Sequence, residues 1–191
     1  MTTAPPPDSW FGVTRRDVDA PATAAANRHW WDQEAEAYYA EHGDFLGDAD
    51  LVWGPEGRSE REMRLLGEVR GRRGLEIGAG AAQGSRYLSG QGMQVVATDL
   101  SAGMLRRATI IDQRRGGAAV PLLQCDGAAL PFADRSFDVV FTAYGVIPFV
   151  ADSARVMGEC ARVLRPGGRL VFATTHPVRW AFPDDPGENG L

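Results

Sequence analysis

Lysine is missing from the sequence altogether. All 20 basic residues are arginine, and beside abundant alanine and glycine this reads as genome composition rather than function. Cysteine is scarce. Cys125 and Cys160 fall on a strand end and a helix with no metal-ligand spacing between them, so they read as two reduced structural thiols. An excess of positive charge is lacking too, the formal net charge being −5. Nonspecific nucleic-acid affinity comes from clustered cations, so a generic phosphate-backbone binder is disfavoured and no nucleic-acid partner is expected. The opening residues Met1–Pro7 hold no basic region followed by an apolar core, and no later apolar run reaches membrane-spanning length. A cytoplasmic chain with no membrane partner is expected. No internal repeat is visible.

What is present suffices for one folded domain. A chain of 191 residues, 44% hydrophobic and 24% charged, can bury a core without disulfides or a metal. Residues 1–26 combine a proline run with Thr, Asp and Ala, which offers too little apolar surface to offset the entropy of ordering, and are expected as a flexible tail. From Asn27 the pattern turns helical, with Trp31, Ala35, Tyr38 and Tyr39 sharing a face in a short amphipathic helix. Gly43, Gly47, Gly54 and Gly57 break that pattern, and a second helix is predicted over Ser59–Val69. Residues 27–72 thus form a helical segment ahead of the first strand. Over residues 73–180 short apolar strands alternate with amphipathic helices, which is the signature of βαβ units and a parallel sheet. Strands are predicted at 74–77, 94–98, 120–124, 137–142 and 169–174. Helices are predicted at 82–89, 102–114 and 152–164, the last closed by Pro166-Gly167-Gly168. Residues 181–191 are expected as an irregular tail.

Chemistry concentrates where strands end. Gly74-Leu75-Glu76-Ile77-Gly78-Ala79-Gly80-Ala81-Ala82-Gln83-Gly84 lies where a strand passes through a tight loop into a helix. Its glycines let the backbone approach a ligand, although a plain strand-to-helix turn uses the same residues. The spacing Gly78-x-Gly80-x-x-x-Gly84 differs from the dinucleotide fingerprint Gly-x-Gly-x-x-Gly. Glu76 stands at the carboxyl end of the strand, where it opposes a diphosphate and suits a cationic ligand. S-adenosylmethionine, with an ammonium and a sulfonium, meets that demand. Asp99 ends the strand Val95-Val96-Ala97-Thr98, about twenty residues beyond the Gly-rich loop, where a carboxylate can accept both ribose hydroxyls. Capping the helix from Ala102 is the other use of that acid. Asp126, after Leu122-Leu123-Gln124-Cys125, is placed either to accept from an adenine amino group or to sit exposed in a loop. Thr142 and Tyr144 follow strand 137–142 into the same crevice, or pack its loop.

Five segments occur in the order Glu76-x-Gly78-x-Gly80, Asp99-Leu100-Ser101-x-x-Met104-Leu105, Asp126-Gly127 with Leu130-Pro131-Phe132, Phe137-Asp138-Val139-Val140, and Arg162-Val163-Leu164-Arg165-Pro166-Gly167-Gly168-Arg169-Leu170. Together they resemble the motifs of class I S-adenosylmethionine-dependent methyltransferases, nearest to the type 11 methyltransferase domain group, over residues 27–180. The resemblance implies an α/β fold, a Rossmann-like parallel sheet with helices on both faces. It implies S-adenosyl-L-methionine as cofactor, with Glu76, Gly78, Gly80 and Gly84 holding the methionine moiety and Asp99 the ribose. Asp126, Gly127 and Ala128 would hold the adenine, Leu100 and Met104 would supply apolar contacts, and Thr142 and Tyr144 would border the same ligand. The helix around Trp30 resembles the family's amino-terminal cover, so that Trp31, Tyr38, Tyr39 or Trp53 close over the cofactor or else pack on the sheet.

The implied activity is methyl transfer to a small-molecule acceptor by in-line displacement. The cofactor supplies the activated methyl, and alignment alone can contribute about 7–11 kcal/mol, so an obligatory acid or nucleophile is not required. A base is needed only when the acceptor arrives protonated. His176 is the candidate, its alternative being a loop cap. Ala143-Tyr144-Gly145-Val146-Ile147-Pro148 lacks the Asn/Asp-Pro-Pro-Tyr signature of enzymes acting on nucleobase or glutamine amino groups. After strand 169–174 the usual carboxyl-terminal helix and antiparallel strand pair are expected to be missing. That would leave an open edge inclined to self-association. Two further readings stand beside the leading one: a truncated cofactor-binding domain without turnover, and an NAD(P)-dependent oxidoreductase.

Overall fold

A computed structural model describes residues 9–10, 13–14, 19–176 and 178. The earliest of these form β1 (Ser9–Trp10) and β2 (Val13–Thr14), which pair antiparallel. The expectations for the remaining amino-terminal residues and for the tail 181–191 lie outside the described residues. Helix α1 (Ala20–Leu46) is much longer than the sequence pattern predicts and starts inside the expected tail. Its start signal is local. The Asp19 carboxylate accepts the Ala22 amide at 2.7 Å and Pro21 occupies the first turn, the arrangement that favours helix initiation. The helix continues through Gly43 and ends where Gly47 turns to φ +68. Of its side chains only Ala35 is buried, so it lies on the molecule rather than in its core.

The predicted helix 59–69 is in fact one turn, α2 (Glu60–Met63). Arg64 leaves it at φ 50, and the buried Glu60 carboxylate gathers the chain around itself. It accepts from Trp53 Nε1 at 2.9 Å and from the amides of Leu65 at 3.0 Å and Leu66 at 2.8 Å. Those bonds stop the helix. They also place Trp53 in the core, away from any covering role.

The sheet follows: β3 (Arg73–Ile77), α3 (Gln83–Gly90), β4 (Gln94–Asp99), α4 (Ala102–Arg115), β5 (Leu122–Gln124), β6 (Phe137–Thr142), α5 (Ser153–Val163) and β7 (Leu164–Phe172). All pairs are parallel in the order β5-β4-β3-β6-β7. The last strand begins five residues earlier than predicted and contains Pro166-Gly167-Gly168. Leu164 pairs with Phe137 and Arg169 with Val139, so residues 165–168 bulge opposite Asp138, whose carboxylate accepts from Arg165 at 2.8 Å. Helices cover both faces, as expected. Leu88 of α3 and Ala108 of α4 pack with Val95, Ala97 and Phe141 on one side. Val156, Cys160 and Val163 of α5 pack with Leu75, Ile77 and Val140 on the other. Each large apolar side chain so buried is worth about 1.5–3 kcal/mol.

One buried ion pair ties the first face together. Arg86 of α3 donates to Asp112 of α4 at 2.5 Å, and to the carbonyls of Asp48 at 2.8 Å, Ala81 at 2.6 Å and Ala108 at 2.9 Å. The chain winds outward from β3 to β5, then crosses back to lay β6 on the other side of β3. Such a reversal opens a crevice at the carboxyl ends of the two central strands, where ligands of open α/β sheets bind.

Candidate functional site

The crevice is shaped first by β3 and the turn after it. Gly78 has φ +65, and a Cβ there would lie 2.6 Å from Val146 Cγ2, so only glycine lets the loops of β3 and β6 meet. Glu76 turns its carboxylate under α3. It accepts from the Ser85 amide at 2.9 Å and the Ser85 hydroxyl at 2.5 Å. A Cβ on Gly84 would come within 2.6 Å of Glu76 Oε1, so the small residue lets the helix ride directly on the acid. Only 5% of Glu76 is exposed. Burial pushes its carboxyl up to about 7, against the Ser85 bonds and the Arg86 charge, which act in the opposite direction.

Asp99, at the end of β4, holds the Gly-rich loop from the other side. Its Oδ2 accepts from the Gly80 amide and its Oδ1 from the Ser101 amide, both at 2.8 Å. Burial raises its carboxyl above the ordinary range in spite of those bonds. The cap of α4 is Ser101, whose Oγ accepts from the Met104 amide at 3.1 Å, so α4 does not start on Asp99. Each Asp99 oxygen keeps lone-pair capacity for a further donor. Asp126 closes a tight turn, its Oδ1 accepting from the Ala128 amide at 2.8 Å.

These acids border one cavity of about 1210 Å³ counted out to its open mouth. Its lining includes Glu76, Gly78, Gly80, Gly84, Asp99, Leu100, Met104, Asp126, Gly127 and Tyr144. Trp31, Tyr38 and Tyr39 of α1 line it as well. Trp31 meets Tyr38 edge-on with ring centroids 5.4 Å apart, and Phe149 at 6.1 Å. Asn27 Nδ2 donates to the Phe149 carbonyl at 2.5 Å and stitches α1 to the turn Ile147–Phe149. Tyr144 sits at φ +64, a region costly for a bulky residue, and its buried hydroxyl has no partner among the described residues. Burial, with the neighbouring Tyr38 and Glu56, pushes that phenol up to about 12.

Three expected residues fall outside the lining. Thr142 is buried with its hydroxyl on the Gly145 carbonyl at 2.9 Å, tying the loop rather than facing the cavity. Ala128 contributes its amide to Asp126 and does not line the cavity. His176 is exposed, and its Nδ1 accepts from the Val178 amide at 3.1 Å, which is the loop-capping alternative. The sequence reading missed Asn27, Cys125, Val146 and Phe149, all in the lining. The last two could have been found from their place just beyond the carboxyl end of a central strand. Among the described residues there is no metal-binding cluster of His, Cys, Asp and Glu, and no helix long and apolar enough to cross a membrane.

Comparison with known proteins gives the arrangement its family. A demethylmenaquinone methyltransferase of Renibacterium salmoninarum is 37% identical over 131 residues, covering 66% of this chain and 53% of the relative. One from a Mycobacterium species is 42% identical over 120 residues, covering 61% and 48%. The chain thus spans about half the length of these curated relatives. The crystal structure of an S-adenosylmethionine-dependent methyltransferase from Mesorhizobium loti superposes with a TM-score of 0.54 at 30% identity, covering 61% of this chain and 52% of that one. Residues 75–172, which run from β3 to the end of β7, match the family described as methyltransferase domain, and the chain therefore belongs to the class I S-adenosylmethionine-dependent methyltransferase family.

Proposed function

We propose that the cavity binds S-adenosyl-L-methionine and that the chain transfers its methyl group to a small apolar acceptor. The single observation that carries this reading is Glu76, a carboxylate almost out of water that no described cation satisfies fully, set on the cavity floor beside Gly78 and Gly84. A buried acid whose carboxyl lies near 7 gains most from a ligand that brings a positive charge, and an approaching ammonium draws it into the ionised form. In its ionised form the same acid repels a diphosphate, which disfavours the nicotinamide alternative.

Around that anchor each residue has a task its geometry suits. Asp99, already fixed by Gly80 and Ser101, offers its free lone pairs to a ribose diol. Asp126 and Gly127, which line the cavity, would hold the adenine, and Leu100 and Met104 would supply its apolar contacts. When bound, the cofactor supplies an electrophilic methyl group. The chain's own contribution is alignment and exclusion of water, and α1 serves as the cover through Trp31, Tyr38 and Tyr39.

The acceptor side is apolar and aromatic, bounded by Trp31, Tyr38, Val146 and Phe149. Burial keeps both the Tyr144 phenol and the Cys125 thiol protonated at neutral pH, so neither serves as a base. An acceptor that ionises in water, or attacks through an electron-rich ring carbon, suits such a site. A quinol-type ring does both, and the names of the two relatives support a quinone-derived acceptor. Calorimetry tests the cofactor: S-adenosylmethionine or its demethylated product should bind, and NAD should not. Tight NAD binding without S-adenosylmethionine binding would refute the reading, and a labelled-methyl assay on reduced naphthoquinones tests the acceptor.

A further inference from the structure

The mechanism leaves Asp32 unused, yet it is where the cover meets the cofactor site. Asp32 is on α1, next to Trp31 in the cavity wall. Its Oδ1 accepts from the Ser101 hydroxyl at 2.7 Å and from the Gly103 amide at 2.8 Å. Ser101 is fully buried, and its own amide donates to Asp99 Oδ1 at 2.8 Å. Asp99 Oδ2 then takes the Gly80 amide at the same distance. An unbroken line of hydrogen bonds therefore runs from the cover through Ser101 to the acid proposed for the ribose, and on into the Gly-rich loop.

The contact is built to be close. A Cβ on Gly103 would lie 2.8 Å from the Asp32 carbonyl oxygen and 3.0 Å from its Cα, so α1 could not approach α4 this way over any larger residue. Among the described residues, Asp32 is the only acceptor for the Ser101 hydroxyl and the Gly103 amide. Lifting α1 leaves both donors to water and frees the residue that orients Asp99. The Gly103 amide in turn holds the Asp32 carboxyl below its ordinary value, so the acid is charged at neutral pH.

We propose that Asp32 is a positioning residue through which docking of α1 sets the ribose-binding geometry of Asp99, so that ribose binding and closure of the cover favour each other. This rests on the cofactor reading above. The coupling is reciprocal by linkage: a ribose that fixes Asp99 and Ser101 stabilises the docked helix, and a docked helix sharpens the grip on the ribose.

The test compares S-adenosylhomocysteine with its 2′-deoxyribose analogue by calorimetry on the full chain. Wild type should prefer the ribose by about tenfold or more, the usual effect of losing a hydrogen bond to a charged group. In Asp32→Ala the preference should shrink to about threefold or less. Asp32→Asn, which keeps an acceptor oxygen, should restore most of it. Gly103→Ala, which wedges the helices apart against the Asp32 backbone while leaving the Asp32 carboxylate in the chain, should behave like Asp32→Ala. A purely structural role would weaken both ligands alike and leave the ratio unmoved. Trypsin cleavage after the exposed Arg28 gives a second readout: S-adenosylhomocysteine should slow it in wild type and not in Asp32→Ala. A variant Asp32→Ala that retains the wild-type ratio overturns this inference alone. A wild type that binds no S-adenosylhomocysteine overturns the cofactor reading and the inference with it.

Discussion

Replacing Glu76 by glutamine should make the protein more stable with rising pH relative to wild type, while removing its grip on the cofactor. The Glu76 carboxyl is at about 7 in the folded chain against an ordinary value of 4.5. Between those limits the native state holds a proton that the unfolded chain has released, so wild-type stability falls as pH rises through the window. The stability contribution of the protonated acid is fully present below 4.5 and gone above about 7. At about 1.4 kcal/mol per pH unit, the span amounts to about 3 kcal/mol. Glu76→Gln has no such titration. The gap between the two melting curves should therefore shift in favour of the variant by about 3 kcal/mol from pH 4.5 to pH 8. In a chain of this size that is about 6–12 °C in Tm. Binding should move the other way: at pH 8 the variant should lose about 1.5–3 kcal/mol of affinity for S-adenosylhomocysteine. Thermal denaturation at a series of pH values, with and without ligand, decides both points. A melting-temperature gap that does not change with pH would refute the claim that the folded acid is protonated near neutrality. Unchanged ligand affinity would refute its role as the partner of a cation.

Four further outcomes follow from the same geometry. Asp99→Ala should weaken cofactor binding by about 1.5–3 kcal/mol in calorimetry and spare α4, because Ser101 rather than Asp99 caps it. Gly84→Ala should weaken ligand binding by about tenfold, since the added methyl meets Glu76 Oε1 at 2.6 Å, and titration will show it. Arg86→Met should cost about 3–5 kcal/mol in chemical denaturation by leaving Asp112 buried without its counter-charge. Among the described strands β7 lies at an edge of the sheet with Phe172 exposed, and self-association of this chain should appear in light scattering as a mass rising with concentration.

Much of this was legible before any coordinates. Strands such as Phe137–Thr142 announce themselves because burial on both faces demands short apolar runs, here Val139-Val140-Phe141, and Glu76, Asp99 and Asp126 stand where such runs stop. What stayed hidden depends on contacts distant in sequence. The length of α1 turned on Asp19 and Pro21, a start signal masked by the surrounding tail-like composition. The collapse of the helix after Met63 depends on a carboxylate, Glu60, reaching forward to Leu65 and back to Trp53. Asp32 gave no periodic or motif signal at all, because its partners lie some seventy residues away in sequence. Thr142 and His176 each had two readings open, and both take the loop-tying one. Strand ends put residues near a crevice, but whether a side chain faces it or ties a loop is settled by one local hydrogen bond.

The thin burial of α1 also sets an upper limit on how tightly the free protein can bind anything beneath it. A helix of 27 residues that hides only Ala35 belongs to the part of the molecule that opens most cheaply. Measured affinity then equals the affinity of the closed form multiplied by the fraction of molecules already closed, so a cover docked one time in ten weakens binding about tenfold. Substitutions on the outer surface of α1, far from every ligand atom, become a dial on apparent affinity: those that favour helix tighten it, and those that favour coil loosen it. Hydrogen exchange at the Gly103 amide, which Asp32 covers only while α1 is docked, would report that closed fraction in the free protein.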